Sequence, residues 1–278
     1  MSKPDLEGVF AKIRRADETL ALLRSELEAY LATNYRISRR AFREERQYKL
    51  FAHGEPSLPP RFAVLVGEIV HQLRSTLDHA ITQLATIGPG GGDPSALEFP
   101  VCRSEEAFLR SCERGKLKGL PGTAIDLINR MQPYNAWRPA EDSTLLALHD
   151  FDRIDKHRLL VVVVAAVRMA DQFTIKGTGG APLIGMTPPV PRGTRPSAEG
   201  TPIFGFVFGD ELDSDLEIDG NFAFTVVFEQ VGTNKDVPVI DTLRKMRDLV
   251  VRLLGDFFPE HIKVDVAPSS AAHESKKA

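Results

Sequence analysis

Hydrophobic residues along the chain fall into three long helical rhythms, with one block between the last two where the period drops to two. Over residues 61–85 (RFAVLVGEIVHQLRSTLDHAITQLA), Phe62, Val66, Ile69, Leu73, Leu77, Ala80 and Leu84 recur at steps of three and four. That spacing predicts a long amphipathic helix with one buried face. Over residues 5–31, Leu6, Val9, Ile13, Ala16, Leu20, Leu23, Leu27 and Tyr30 alternate steps of three and four. The result is an a/d seam across four heptads, suited either to a helix lying on a core or to a contact between two chains. The third rhythm is Val239, Leu243, Met246, Val250, Leu253 and Phe257, with Asp236 as the expected cap and Pro238 as the helix start.

Shorter elements lie between. Helices are expected at 104–113 and 122–131, followed by Gln132-Pro133-Tyr134, and at 142–155 with Asp142 or Ser143 as N-cap. Residues 35–51 interleave Arg and Glu with Tyr, Ile and Phe, which fits an exposed edge strand or a helical continuation. HGEPSLPP at 53–60 then breaks the chain. The β-branched run at 159–167 predicts a strand, 172–177 a second one across a turn at 169–171, and 203–208 and 222–229 two more. The Pro/Gly-rich stretch 178–202 between them reads as a long loop. The expected fold class is α+β: a helical bundle with a small antiparallel sheet inserted before the C-terminal helix. We expect one integrated domain over 1–266, with helices at about 1–158 and 236–258 and the sheet at about 159–230. A disordered tail is expected at 267–278.

Composition changes this picture little. The net charge of −3 over 278 residues excludes a molecule-wide polyanion binder, so a nucleic-acid contact would need a local basic patch. Cys102 and Cys112 lack metal-ligand spacing and read as reduced thiols. Pro4, Asp5 and Glu7 interrupt any signal-peptide pattern, and the apolar run 159–167 is too short to span a bilayer. A cytoplasmic protein without a membrane partner is expected. GPGGGDP at 88–94 lacks the Lys-Ser/Thr pair of a phosphate loop and reads as a linker. Asp215, Glu217, Asp219 and Gly220 imitate the opening of an EF-hand loop, but Val226 occupies the twelfth position, so a solvated acidic hairpin is the better account.

The chemistry-bearing residues form two groups. On the central helix, His71, Ser75 and Asp78 fall in a narrow sector opposite the apolar face, flanked by Arg74 and His79 about 140° apart. Imidazole can transfer protons near neutrality, and guanidinium offers forked donors to a phosphate. The second group is His149, Asp152, Asp155, Lys156, His157 and Arg158. His149, Asp152 and Lys156 share a helix face, and residues 155–158 sit at a helix-to-strand junction where cations complement the helix dipole. If the two groups meet, they form a pocket of imidazoles, carboxylates and cations. A metal set of His71, His79, His149 and Asp152 lacks any strong ligand spacing, so no metal and no cofactor is assigned.

The R-S-T-L-D-H string from Arg74 to His79 resembles the R-x(4–6)-H signature of HEPN-type domains, helical bundles that are often metal-independent ribonucleases. The wider context also resembles a family of uncharacterised bacterial proteins: His71-Gln72-Leu73-Arg74-Ser75-Thr76-Leu77-Asp78-His79, Phe99-Pro100, Gln132-Pro133-Tyr134, Leu148-His149 and Asp155-Lys156-His157-Arg158, over about residues 60–160. The HEPN resemblance implies catalytic roles for Arg74 and His79, RNA as the partner, and a homodimer that brings two motifs together. It implies a defence or toxin-type ribonuclease. Ser75 stands where such motifs usually carry Asn, and Asp78 adds a negative charge before the histidine. The alternative is a non-enzymatic binding or assembly protein. There Arg74 and Asp78 pair at i, i+4, and His71, Asp78, His149, Asp152, Asp155, Lys156, His157 and Arg158 form binding or junction contacts.

Overall fold

Two 28-residue helices lie side by side, and their facing apolar stripes explain why. The computed structural model describes residues 4–90, 93–136, 139–176, 182–187, 191, 193–210, 217–229 and 235–260. Helix α1 is Glu7–Asn34 and α2 is Pro60–Ile87, which follows an extended Pro59 and places Pro60 in its first turn, where a missing N–H costs nothing. Then come α3 (Glu105–Glu113), α4 (Gly122–Arg130), α5 (Thr144–Asp155) and α6 (Val239–Phe257). Ser104 caps α3 by accepting from Ala107 N, and Ser143 caps α5 by accepting from Leu146 N at 3.4 Å.

One apolar cluster joins α1, α2, α5 and α6. The seam of α1 is used within the chain: Val9, Ile13, Ala16, Leu23 and Leu27 are buried there. Positions 20 and 30 are the exceptions: Thr19 takes the buried place beside half-buried Leu20, and Tyr30 is only partly buried. Polar ties reinforce the apolar contact. Arg15 meets Glu68 at 2.6 Å, Arg61 pairs with Glu26, and Arg247 on α6 holds both carboxylate oxygens of Asp17 at 2.9 and 3.0 Å.

The fold is α+β, as the periodicity predicts, but its β part is larger than four segments. Strands β1 (Arg36–Phe42), β2 (Gln47–His53), β5 (Thr201–Phe208) and β4 (Leu183–Met186) form one antiparallel sheet in the order β1-β2-β5-β4. Strands β3 (Val162–Lys176) and β6 (Glu217–Phe228) form a second antiparallel pair. Residues 35–51 are therefore mostly a hairpin turned at Arg46, with φ +53, and β1 is the sheet's edge. The expected turn at 169–171 does not occur. β3 runs through it with a register irregularity between Arg168 and Phe173, since β6 is long enough to pair on both sides of the bulge. β4 lies inside the stretch expected to be loop. Asp236 does not cap α6; it has φ +56, and its carboxylate accepts from Arg195 at 2.7 Å, while Pro238 precedes the helix without a side-chain bond.

The β3-β6 pair packs on the bundle through Val162, Val164, Val226 and Phe228, joined by Leu160 just before β3, with Phe151 and Phe228 ring centroids 4.6 Å apart. Phe224 bridges to the inner face of the larger sheet, where Tyr48, Leu50, Phe204, Phe206 and Phe208 are buried. The core of the expected acidic hairpin, part of the GPGGG stretch and the whole of 267–278 lie outside the described residues. Among the described residues, no helix is long and apolar enough to cross a membrane.

Candidate functional site

One strip of α2 carries positions 67, 71, 74 and 78, at steps of four, three and four, so all lie on the same side of the helix. Across from it runs α5, with contacts in reverse order. Gly67 meets Asp155: a β-carbon there would lie 2.2 Å from Asp155 Oδ1. One turn along, His71 Nδ1 lies 3.2 Å from Asp152 Oδ1, and a further turn brings Arg74 close enough to His149 to perturb it. The polar residues of both helices thus form a seam between antiparallel helices.

Asp152 is the buried centre of one end, with only 4% of its surface exposed. Its Oδ2 takes Lys156 Nζ at 2.6 Å from its own helix, while Oδ1 faces His71. His71 and Lys156 are both more than half exposed, so this buried carboxylate is roofed by two solvent-facing cation-forming groups. Beside it, burial raises the Asp155 carboxyl above the ordinary carboxylate range; the like charge of Asp152 adds to this and His71 opposes it. An imidazole whose Nδ1 is directed at a carboxylate can present Nε2 to solvent, an arrangement able to exchange protons.

Arg74 forms the other end and is 4% exposed. It donates to Asp78 Oδ1 at 2.6 Å, to the Phe99 carbonyl at 2.8 Å and to Glu98 Oε1 at 3.3 Å. Asp78 Oδ1 also accepts from Phe99 N at 2.9 Å, so the pair grips both backbone groups of one residue. Glu98 is held in turn by Lys116 at 2.6 Å. The same loop is clamped from the far side by Gln132, 1% exposed, which accepts from Cys102 N and donates to the Pro100 and Ile128 carbonyls. The imidazole of His149 is pushed below its ordinary value, first by burial and then by the Arg74 charge; Asp150 and Glu98 pull the other way, and Arg153 adds to the lowering.

His79 does not join this group. It is exposed on the side of α2 facing α1, where a β-carbon at Gly8 would lie 3.8 Å from its Nδ1. Burial and Lys12 lower its pKa, against a smaller opposing effect of Asp78. The angle of about 140° between positions 74 and 79 sends them to different neighbours. Arg74 is buried, not at the rim of a solvent face, because the 98–102 loop covers it. His157 and Arg158 are exposed in the turn after α5, their backbone N–H groups on the Ile154 carbonyl at 3.0 and 2.9 Å.

Three participants are absent from the sequence reading, Gly67, Glu98 and Lys116, and a fourth, Gln132, enters it only within a motif and without a role. Gly67 had a signal, since a glycine inside an otherwise strong helix marks a close approach, and Gln132 stood in the QPY string. Among the described residues, no trio of His, Cys, Asp or Glu is placed to hold a metal ion. No protein-family model, curated protein or solved structure matches the chain.

Proposed function

We propose that this chain is a non-enzymatic binding or assembly protein in which the Arg74–Asp78 segment fastens the 98–102 loop to the helical bundle. One observation carries the reading. The Arg74 guanidinium is buried and already engaged by Asp78, Glu98 and the Phe99 carbonyl. A substrate phosphate would have to displace them, stranding a buried backbone acceptor. Arg74 acts here as a staple between a helix and a loop.

The ribonuclease reading takes RNA as substrate, a homodimer as the active unit and a cytoplasmic defence or toxin role. Its support is His79, exposed and with its pKa lowered by burial and Lys12, which favours the neutral form that a general base needs. It requires Arg74 and His79 to act on one phosphate, whereas Arg74 turns toward Phe99 and His79 toward α1.

The two readings separate in one experiment: incubation of the purified protein and its Arg74→Ala and His79→Ala variants with RNA, with and without chelator, alongside thermal melting. The binding reading expects no RNA cleavage, a loss of about 1–3 kcal/mol in Arg74→Ala and near wild-type melting in His79→Ala. Cleavage by the wild type that disappears in both variants, with melting unchanged, overturns it.

A further inference from the structure

The outer face of the β1-β2 hairpin is chemically unlike the rest of the chain. Residues 36–49 hold six cations, Arg36, Arg39, Arg40, Arg43, Arg46 and Lys49, against two carboxylates, Glu44 and Glu45, a surplus of four positive charges in a protein of net charge −3. The register places Arg36 opposite His53, Ser38 opposite Phe51, Arg40 opposite Lys49 and Phe42 opposite Gln47. Paired residues share a face, and every second residue returns to it. Arg36, Ser38, Arg40, Phe42, Lys49 and Phe51 therefore lie together on the side away from buried Leu50 and Tyr48.

On that face, cations and rings alternate. Arg40 Cζ sits 5.3 Å from the Phe51 centroid, Lys49 Nζ sits 4.7 Å from the Phe42 centroid, and the two rings are 6.2 Å apart. Lys49 is also paired with Glu45 at 3.1 Å, and Arg46 donates to the Gly209 carbonyl at 2.7 Å. Arg36, Arg40 and Arg43 are exposed, and among the described residues they make no ion pair with a carboxylate. Beside Arg36, an open groove of about 410 Å³ is lined by Asn34, Arg36, His53, Gly54 and Glu55.

Protection of a sheet edge accounts for charges on β1. It does not account for Lys49, which stands on the interior strand β2, nor for the partly exposed Phe42 ring beside it on the face away from Leu50 and Tyr48; Phe51, buried at 9% exposure, supports that ring from below. A partly exposed ring set among guanidinium groups matches a ligand that has both π-faces and regularly spaced negative charge.

We infer that this hairpin face binds single-stranded nucleic acid, with phosphates on Arg36, Arg40 and Arg43 and a base stacked on the partly exposed Phe42. It gives the binding-protein reading a partner class but uses none of the α2–α5 residues. Failure of one is thus distinguishable from failure of the other: melting of Arg74 variants tests the staple, and oligonucleotide binding by hairpin variants tests this face.

The test is fluorescence anisotropy of the full chain with labelled oligo(U), oligo(dT) and a duplex, each about 12 nucleotides, titrated at about 50 to 200 mM salt. Single strands should bind more tightly than duplex, with a log–log salt slope of about −2 for three phosphate contacts. A preference between oligo(U) and oligo(dT) identifies which single strand is the ligand. The Arg36→Ala/Arg40→Ala/Arg43→Ala variant should lose affinity at least about tenfold and flatten the salt slope. Phe42→Ala should lose about tenfold for single strands while keeping the slope. All four positions face solvent, at least in part, and unchanged melting of the variants, with Arg40→Lys as a charge-preserving control, guards against misfolding. No binding by the wild type, binding untouched by the triple substitution, or duplex bound as well as single strand with Phe42→Ala silent would each overturn the proposal.

Discussion

Gly67 of α2 and Asp155 of α5 approach so closely that a β-carbon at position 67 would stand 2.2 Å from Asp155 Oδ1 and 2.4 Å from Cγ. The absence of a side chain lets the C-terminal end of α5 press its carboxylate onto α2. In a free helix, Gly→Ala gains about 1 kcal/mol from propensity. Here the added methyl must drive a partly buried carboxylate aside, an overpacking cost of about 1–3 kcal/mol. Gly67→Ala should therefore destabilise the protein by roughly 1 kcal/mol net. In an Asp155→Ala background the same change should instead stabilise by up to about 1 kcal/mol. A double-mutant cycle in urea measures the difference, and additive effects would mean the two sites do not touch.

Asp155 and His149 should give stability opposite pH dependences. His149 has a pKa below the usual imidazole value of 6.5, so as pH falls the unfolded chain takes up the proton first. Its contribution is complete above the ordinary value and is lost as pH drops from there through the folded value. Asp155 has a pKa above the usual 3.8, so the folded state takes up the proton first. The cost of ionised Asp155 is present above its folded value and is relieved as pH falls toward 3.8. His149→Gln should flatten the decline below neutrality, and Asp155→Asn should raise stability at neutral pH with a benefit that fades in acid. His79→Gln is the control, since His79 shifts in the same direction at a more exposed position. Urea midpoints measured from neutral to acid pH give the curves.

The helical half of the fold was legible because its signals are local. The stripes of residues 61–85 and 239–257 each repeat over many turns, and Ser143 announces its helix with a side chain three residues from the Leu146 N–H it accepts. What failed needed a partner to be visible. Nothing around 169–171 states that β6 continues to Glu217 and keeps β3 extended, and β4 is four residues recognisable only by their pairing with β5. The candidate site divides the same way. His71, Asp152 and Lys156 could be grouped by spacing within each helix, and they meet. The burial of Arg74 could not be read, because it depends on a loop 24 residues away folding over the helix.

Gln132 should be among the most sensitive polar residues. Its amide satisfies Cys102 N, the Pro100 carbonyl and the Ile128 carbonyl, all in the interior. Truncation to alanine leaves those backbone groups buried without partners, so Gln132→Ala should cost about 3 kcal/mol. Gln132→Glu should also destabilise, since a carboxylate cannot donate to two carbonyls. Hydrogen exchange offers a local check: the Cys102 amide should lose protection before α1 does. Equal loss across the chain would instead place Gln132 in the global folding unit.

Thr19 offers the opposite kind of change. It occupies the buried side of α1 at 2% exposure, and its Oγ1 has no hydrogen-bond partner among the described residues. A hydroxyl in that position was desolvated on folding and gained nothing in exchange. Valine keeps the branched shape and removes the polar atom, and both residues have similarly low helix propensity, so the backbone cost is nearly unchanged. Thr19→Val should raise stability by about 1 kcal/mol, read as a higher urea midpoint at unchanged slope. Thr19→Ser should lower it by a similar amount, because it deletes a packed methyl while keeping the unsatisfied oxygen. A destabilised valine variant would mean that Oγ1 is solvated by a buried water, and hydrogen exchange at the neighbouring α1 amides would then detect its loss.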